Sequence, residues 1–327
     1  NMNKLLITGW VPETILKDYR ELFSITLPDQ DKKNFSVEEV KEMLPEYDAL
    51  FTLSSFSFRK ELIDLAKNLK AVANFGVGYD NIDLSCCTEK GIFVVNTPSS
   101  VTEPTAELTI ALILAITKGI VMYDKELRST RLCHGESFFE RDLLLTGKTI
   151  GIIGYGRIGQ AVGRKAQGLG MKVMYYNRHR KSPEEEQRLH AVYGTFEQVL
   201  ENADVISCHV PYTKENHHMF NLEAFKKMKP TSYFINAARG PVMCEADLAA
   251  ALREKSIRGA ATDVFEYEPK VSQELAEMEN VVITPHIGSN VLESRLSMAR
   301  EALDGLSALF KGEYPENVVN KELPLFK

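Results

Sequence analysis

The segment Thr149–Gly159, TIGIIGYGRIG, is the feature that most constrains the fold of this chain. It starts with β-branched and apolar residues and ends with Gly154, Gly156 and Gly159, in the spacing GxGxxG. Between a strand and a helix, the first glycine permits a tight turn, the second lets the backbone approach a pyrophosphate, and the third allows close helix–strand packing. The segment therefore predicts a doubly wound parallel sheet that binds a dinucleotide.

Apolar runs and helical patterns alternate along most of the chain, which is typical of strand–helix–strand units. The predicted strands are Lys4–Thr8, Asp48–Leu53, Leu69–Asn74 and Ile92–Asn96, then Thr149–Ile153, Lys172–Tyr176, Val205–His209, Tyr233–Asn236, Ala260–Asp263 and Val281–Thr284. Long helices are predicted over Thr102–Gly119 and Val291–Lys311. The predicted fold class is α/β, with two Rossmann-like or flavodoxin-like domains. A nucleotide domain, residues 101–289, is inserted in a substrate domain formed by residues 1–100 and 290–327.

Composition excludes several classes of protein. The 327 residues carry a net charge of −6, and a nucleic-acid binder would more often carry a basic surplus. The five cysteines include no CxxC pair, which indicates free thiols in a reducing compartment. The most apolar run, Leu108–Ile116, is too short to span a membrane. We therefore expect a cytoplasmic protein with no nucleic-acid partner, no membrane segment and no metal site.

Three polar groups come directly after predicted strands, at the edge where open α/β sheets bind ligands. Arg239, in FINAARGPV, can hold a carboxylate through two hydrogen bonds. The segment ATDVFEYEP places Asp263, Glu266 and Glu268 close together, and ITPHIGS carries His286. A glutamate beside His286 would raise the pKa of the imidazole and fix its tautomer, which suits acid/base chemistry. These groups predict one site.

Six segments carry a resemblance to a known family. They are NFGVGYDNID (74–83), VTEPTAELTIALILA (101–115), GKTIGIIGYGRIG (147–159), NAARG (236–240), DVFEYEP (263–269) and PHIGS (285–289). With these segments in this order, nearly the whole chain resembles the D-isomer-specific 2-hydroxyacid dehydrogenases, of the glyoxylate/hydroxypyruvate reductase type.

The resemblance implies a role for each catalytic candidate. Arg239 would hold the carboxylate of a 2-oxo acid, and His286 would donate a proton to its carbonyl oxygen during reduction. Glu268 would pair with His286 and keep it protonated. The backbone of Val77 and Gly78, in a glycine-rich turn of the first domain, would bind the carboxylate as well.

The remaining candidate site residues rest on the same resemblance and on the glycine motif. Expected cofactor contacts are Thr105, Gly154, Gly156, Arg157, Ile158, Gly159, Asn177, Arg178, His179, Arg180, His209, Val210, Pro211, Ala237, Asp263, His286 and Gly288. Further substrate contacts are Ser289 and, after the second strand, Ser54, Ser55 and Phe56. Family members are usually homodimers, and the apolar helix from Thr102 is a plausible interface.

The residues after the strand Lys172–Tyr176 bear on the choice of cofactor. An acidic residue about 20 positions beyond the glycines normally accepts hydrogen bonds from the adenosine ribose and favours NAD. Asn177 lies 18 residues after Gly159 and cannot repel a 2′-phosphate. Arg178 and Arg180 can pair with that phosphate. We therefore favour NADP, with NAD as the alternative.

The predicted activity is reduction of glyoxylate, hydroxypyruvate or a similar 2-oxo acid to the D-2-hydroxy acid. A phosphoglycerate dehydrogenase is an alternative, although no further regulatory domain follows Lys327. Formate or phosphite oxidation is more distant. A non-catalytic alternative is a corepressor-like protein that senses dinucleotide and binds partner peptides, because such relatives can retain the same three residues.

Overall fold

The structure is a computed structural model that describes residues 2–53, 56–133 and 142–326. The chain divides into two units, one formed by Asn1–Val101 with Ser289–Lys327 and the other by Thr102–Gly288. All paired strands in both units run parallel. The predicted α/β fold class with two parallel sheets is confirmed.

The described strands are numbered in chain order. They are β1 (Asn3–Ile7), β2 (Phe23–Thr26), β3 (Ala49–Thr52), β4 (Ala71–Asn74), β5 (Phe93–Val95), β6 (Thr149–Ile153), β7 (Lys172–Tyr176), β8 (Ala191–Tyr193), β9 (Val205–Cys208), β10 (Tyr233–Asn236), β11 (Gly259–Thr262) and β12 (Val281–Ile283).

Helices connect most of these strands. They are α1 (Glu13–Leu16), α2 (Val37–Met43), α3 (Lys60–Leu65), α4 (Leu84–Glu89), α5 (Thr102–Thr117), α6 (Ile120–Thr130), α7 (Arg157–Gly168), α8 (Pro183–Leu189), α9 (Phe196–Asn202), α10 (Leu222–Lys227), α11 (Glu245–Arg253), α12 (Gln273–Glu277) and α13 (Leu292–Phe310). Short 3₁₀ turns cover Lys17–Tyr19, Leu44–Glu46, Lys214–Asn216 and Gly240–Val242.

The first unit is built on a five-stranded sheet in the order β2-β1-β3-β4-β5. This is the flavodoxin-like order, which the prediction included. One face packs against α13, whose Ala302, Leu303 and Leu306 are fully buried. The other face packs against side chains of α2, α3 and α4. Because both faces are covered, β3, β4 and β5 are buried at every residue instead of at alternate ones.

The C-terminal segment closes one edge of this sheet. Val319 donates its backbone N–H to Val94 O at 2.8 Å. The side chain of Asn320, 1% exposed, accepts a hydrogen bond from Val94 N at 2.9 Å and donates one to Ile92 O at 2.9 Å. The buried amide of Asn320 thus provides hydrogen-bond partners for backbone groups of β5 and the residue before it, which a further strand would otherwise have to provide.

The second unit contains a seven-stranded sheet in the order β12-β11-β10-β9-β6-β7-β8. This is the Rossmann order with one additional strand, and the order reverses between β6 and β9. Dinucleotides bind at that switch point, outside the carboxyl ends of the strands. The glycine motif comes directly after β6, so the fold puts it at the switch point.

Ten of the twelve described strands were predicted from the sequence, and two were not. The predicted bounds of β6, β7 and β10 are confirmed to the residue. The prediction omitted β2 and β8, which lie at sheet edges. Only one residue in each is fully buried, and Val192 of β8 is 64% exposed. Edge strands this short lack the apolar run that identifies a buried strand.

The predicted helix Thr102–Gly119 is shorter in the structure. It ends at Thr117, and Gly119, at φ +61°, is the N-cap residue of the separate helix α6. In the described parts of the chain, no single helix is long and apolar enough to cross a membrane. Only α5 and α6 taken together, with a 55° bend, reach the necessary length and composition.

Candidate active site

The three motif glycines meet three separate requirements. Gly154 has φ +93°, and a Cβ there would lie 2.6 Å from the carbonyl carbon of His209. A Cβ on Gly159 would lie 2.2 Å from Gly154 O. A Cβ on Gly156 would meet no described atom within 4 Å, so the backbone there is open to a ligand at the N-terminus of α7. These features fit a bound pyrophosphate.

Asn177 is tied to the glycine turn. Its Oδ1 accepts a hydrogen bond from the backbone N–H of Tyr155 at 2.6 Å. An aspartate could accept the same bond, but it would add a negative charge beside the ribose position. Asn177 therefore preserves the turn without the charge that normally disfavours a 2′-phosphate.

The basic residues after β7 differ in their surroundings. Arg180 donates from Nε and Nη2 to the two carboxylate oxygens of Glu186, at 2.8 and 2.9 Å, and lies over the ring of Tyr193. Hydrogen bonds from Arg180 and Tyr175 lower the pKa of Glu186 to about 2. Arg178, by contrast, makes no hydrogen bond or close ion pair with any described residue. His179 is exposed beside it.

The loop after β9 packs on the glycine turn. The backbone N–H of His209 donates to Ile153 O at 2.7 Å, and its ring Nε2 lies 2.8 Å from Ser207 Oγ. Burial lowers the pKa of His209 to about 4, so its ring is neutral at neutral pH. Val210 and Pro211 continue this loop.

The other predicted cofactor contacts of this unit are also at strand or helix ends. Arg157 and Ile158 open helix α7, and Ala237 comes directly after β10. Thr105 lies in the first turn of α5, where its Oγ1 would be 3.3 Å from a Cβ on Gly288.

The catalytic candidates lie beyond three neighbouring strands, with Arg239 after β10, Glu268 after β11 and His286 after β12. His286 Nδ1 is hydrogen-bonded to Glu268 Oε2 at 2.9 Å. The other carboxylate oxygen of Glu268 accepts the backbone N–H of Phe265 at 3.0 Å. The His286 side chain is 47% exposed, and its Nε2 has no hydrogen-bond partner among the described residues.

The electrostatics of this pair favour a charged imidazole. The hydrogen bond to Glu268, helped by the negative charge of that residue, raises the pKa of His286 against the opposing effects of partial burial and the Arg239 charge. Partial burial by itself would raise the pKa of Glu268. The hydrogen bonds from His286 and from the Phe265 amide outweigh it, so the pKa of Glu268 is lowered overall. Both shifts favour the ion pair.

Asp263 holds the turn that carries His286. It is 1% exposed and accepts hydrogen bonds from Thr284 Oγ1 at 2.7 Å, Ile287 N at 2.8 Å and Gly288 N at 2.9 Å. His286 has φ +53°, a conformation that needs such support. Sequence reasoning proposed Asp263 only as a cofactor contact and missed this role. The role could have been inferred from the parallel pairing of β11 with β12, which brings Asp263 and the segment around His286 to the same edge of the sheet.

The predicted substrate contacts of the first unit include a constrained turn after β4. Asn96 Nδ2 donates to Val77 O at 2.9 Å, and Asn74 Nδ2 donates to Gly78 O at 2.7 Å. No described acceptor takes the backbone N–H of Val77 or Gly78, so the turn presents two donors. Their binding to a carboxylate stays a prediction.

The remaining substrate candidates are less informative. Ser289 begins the C-terminal part of the first unit, and Phe56 donates its backbone N–H to Leu53 O. Ser54 and Ser55 lie outside the described residues.

A glycine turn at the switch point of a doubly wound sheet, with an ion-paired histidine and an arginine at the same edge, defines a class of protein. It is the class of dinucleotide-dependent oxidoreductases that use a side-chain acid/base.

Proteins similar to this chain belong to the same class of dinucleotide-dependent oxidoreductases. Residues 110–288 match the family described as D-isomer specific 2-hydroxyacid dehydrogenase, NAD binding domain. The glyoxylate reductases of Thermococcus litoralis and Pyrococcus furiosus are 43% and 41% identical to this chain. The alignments cover 98% of this chain and 97% and 96% of those proteins. The solved NADPH-dependent glyoxylate/hydroxypyruvate reductase of Sinorhizobium meliloti is similar with a TM-score of 0.83 at 28% identity, covering 99% of both chains.

The chain belongs to the D-isomer-specific 2-hydroxyacid dehydrogenase family. The predicted family, the oxidoreductase class and the nicotinamide dinucleotide cofactor are thereby confirmed.

Gly240 offers a test of how the site is assembled. A Cβ on Gly240 would lie 1.9 Å from the carbonyl oxygen of Phe265, so the loops after β10 and β11 approach each other only because residue 240 has no side chain. We expect Gly240→Ala to lower the free energy of unfolding by about 1–3 kcal/mol, as overpacking does, and to reduce turnover. Urea denaturation and steady-state kinetics measure the two effects.

Gly168→Ala is the matched control, because a Cβ there meets no described atom within 4 Å. Equal stability and equal activity of the two variants would contradict the packing argument.

Proposed function

We propose that this protein reduces a small 2-oxo acid, such as glyoxylate or hydroxypyruvate, to the D-2-hydroxy acid. The observation that carries the proposal is the His286–Glu268 pair, at 2.9 Å, beside Arg239 at the carboxyl edge of the dinucleotide-binding sheet. The names of the two glyoxylate reductases that align over nearly the whole chain support this substrate class.

Each residue has one task in the proposed reaction. Arg239 binds the substrate carboxylate and orients the 2-oxo group. The dinucleotide supplies the hydride that reduces the carbonyl carbon. His286, held through Nδ1 by Glu268, donates the proton on Nε2 to the carbonyl oxygen, and it takes that proton back in the oxidative direction. Glu268 stays ionised and stabilises the imidazolium.

The function is tested by monitoring oxidation of NADPH and NADH with glyoxylate, hydroxypyruvate, pyruvate and phosphohydroxypyruvate. We expect His286→Asn to lower kcat by about 10²–10⁴-fold, because general acid catalysis contributes that much. His190→Asn is the matched control. His190 is exposed and has φ +50°, close to the +53° of His286, and asparagine tolerates that conformation.

A lack of oxidation with every substrate would contradict the proposal and favour a dinucleotide-sensing binding protein. A preference for phosphohydroxypyruvate would instead indicate a phosphoglycerate dehydrogenase.

The raised pKa of His286 sets the direction of the pH dependence. Reduction needs the protonated ring, so kcat/KM for the 2-oxo acid should be constant at low pH and fall as pH rises through the pKa of His286. Oxidation of the hydroxy acid should show the opposite trend. Glu268→Gln removes the hydrogen-bonded charge that raises this pKa. We therefore expect the falling limb for reduction to move to lower pH.

Glu279→Gln, at an exposed carboxylate of the same unit, should leave the pH profile unchanged. The same falling limb in wild type and Glu268→Gln would rule out Glu268 as the partner that sets the pKa.

We also propose that the preferred cofactor is NADP, with Arg178 as the residue that binds the 2′-phosphate. Arg178 is exposed and makes no hydrogen bond or ion pair with a described carboxylate, although its charge helps to lower the pKa of Glu215. The Arg180 guanidinium, by contrast, is held by Glu186. Asn177 adds no negative charge. The NADPH dependence in the name of the Sinorhizobium meliloti relative supports this choice.

The cofactor proposal is tested by kcat/KM with NADPH and with NADH. We expect Arg178→Ala to lower the NADPH:NADH ratio by about tenfold or more, because a hydrogen bond to a charged group contributes about 1.5–3 kcal/mol. Arg180→Ala should change this ratio much less and instead lower the melting temperature, since Arg180 braces Glu186. A wild-type preference for NADH, or equal effects of the two variants on the ratio, would contradict the proposal.

We propose, finally, that the protein is a homodimer that associates through α6. The predicted interface helix α5 buries residues such as Leu112 and Ile113 within its own unit, whereas α6 has no buried residue. Ile120 and Leu127, 55% and 50% exposed, lie on one face of α6 because they are two turns apart. An exposed apolar face of this kind is typical of an association surface.

The oligomeric state is tested by light scattering after gel filtration. We expect wild type and Lys125→Glu, whose substitution lies elsewhere on α6, to have the mass of a dimer. Leu127→Asp should shift the mass toward that of one chain. A monomeric wild type, or a Leu127→Asp variant that stays dimeric, would contradict association through α6.

A further inference from the structure

A second cluster of polar side chains lies at the carboxyl edge of the nucleotide-binding sheet. His218, Cys244 and Glu266 belong to the connections after β9, β10 and β11, three neighbouring strands. One potential ligand atom from each, a ring nitrogen, a sulfur and a carboxylate oxygen, lies within 4.8 Å of the other two. None of the three belongs to the catalytic set proposed above.

The backbone around this cluster is fixed. His218 N donates to Pro241 O at 3.0 Å, and Cys244 N donates to Phe220 O at 3.0 Å. One oxygen of Glu266 accepts the backbone N–H of Glu245 at 3.0 Å, and the other is hydrogen-bonded to His218 Nε2. All three side chains are partly buried. The groups are thus held together by the fold and are not brought close by mobile surface side chains.

The donor set selects a type of ion. Ca²⁺ and Mg²⁺ prefer oxygen ligands, whereas a thiolate and an imidazole with one carboxylate suit Zn²⁺ or Co²⁺. Bonds of about 2.0–2.3 Å to a tetrahedral ion separate its ligand atoms by about 3.3–3.7 Å. The nitrogen and oxygen of the His218–Glu266 hydrogen bond are closer together than two ligand atoms on one ion would be. No two of the three candidate ligand atoms are more than 4.8 Å apart. Small side-chain rotations would therefore bring all three atoms to bonding distance.

We propose that His218, Cys244 and Glu266 form a binding site for a divalent transition-metal ion of the zinc type, with water as the fourth ligand. The ion would replace the hydrogen bond between His218 and Glu266 and the proton of the Cys244 thiol, so binding releases at least the thiol proton. No metal site was expected from the sequence. The three ligands are 26 and 22 residues apart on separate loops and form no spacing motif that would indicate one. This site does not depend on the proposed substrate.

Cobalt is the probe, because a Co²⁺–thiolate bond gives a charge-transfer band in the near ultraviolet. Untagged, reduced, EDTA-treated full-length protein is titrated with Co²⁺. We expect that band, together with visible bands of tetrahedral intensity, to saturate at one ion per chain and to disappear on addition of Zn²⁺. Absence of the charge-transfer band in wild type would overturn the proposal.

Two substitutions at Cys244 separate loss of the ligand from loss of the fold. Cys244→Ser should abolish the charge-transfer band and weaken Co²⁺ binding at least about tenfold, since loss of even an outer-shell partner costs about 10–100-fold. Cys244→Asp should also lack the band while folding normally, because Cys244 occupies the N-cap position of α11, where aspartate is favoured. Circular dichroism verifies the fold.

Cys133→Ser is the control, because Cys133 is an exposed free cysteine of the same unit that could bind cobalt adventitiously. This variant should keep the band and the affinity of wild type. A band that persists in both Cys244 variants, or that is lost in Cys133→Ser, would show that the cluster is not the site.

Discussion

The candidate site depends on the parallel, in-register pairing of β10, β11 and β12. Tyr233–Asn236 pairs residue by residue with Gly259–Thr262, and Ala260–Thr262 pairs with Val281–Ile283. Because the strands end at the same level, the loops beyond them start from one edge. A slip of one residue would turn the alternate side chains to the opposite face and break the site. The hydrophobic strands thus fix where the catalytic residues are, although they contribute no chemistry themselves.

The loops beyond these strands add the finer positioning. Gly240 lets the loop after β10 touch the backbone at Phe265, and Asp263 accepts three hydrogen bonds from the segment around His286. The absence of a side chain at Gly240 permits close approach of the loops after β10 and β11. The Asp263 carboxylate joins the loops after β11 and β12 by hydrogen bonds. His286 can then keep a left-handed backbone conformation that an isolated loop would seldom adopt.

Elements with a strong local pattern were predictable from the sequence. The glycine motif and the apolar runs of β6, β7 and β10 are continuous in sequence, so their positions could be predicted to the residue. The edge strand β8 could not be predicted in this way, because it has only one buried residue and is a strand through its pairing with β7. The same limit applies to Arg178 and Arg180, which look equivalent in the sequence. Only the position of Glu186, six residues beyond Arg180, shows that the second guanidinium already has a bidentate partner.

The segment after β11 shows most clearly how surroundings decide between similar residues. Glu266 and Glu268 are two positions apart, and each is hydrogen-bonded to a histidine, His218 and His286 respectively. The side chain of Glu266 is 7% exposed and both of its oxygens are taken, one by His218 Nε2 and the other by the Glu245 amide, whereas the His218 side chain is 32% exposed. The side chain of Glu268 is 38% exposed, and its histidine has a ring nitrogen with no partner in the described chain. Proton transfer to a substrate needs an accessible ring nitrogen without a competing partner, so the second pair suits catalysis, whereas Nε2 of His218 is already bonded to Glu266. The spacing of the two glutamates alone would allow either to be the partner of His286. The family resemblance singled out Glu268, and the folded chain supplies the physical difference between them.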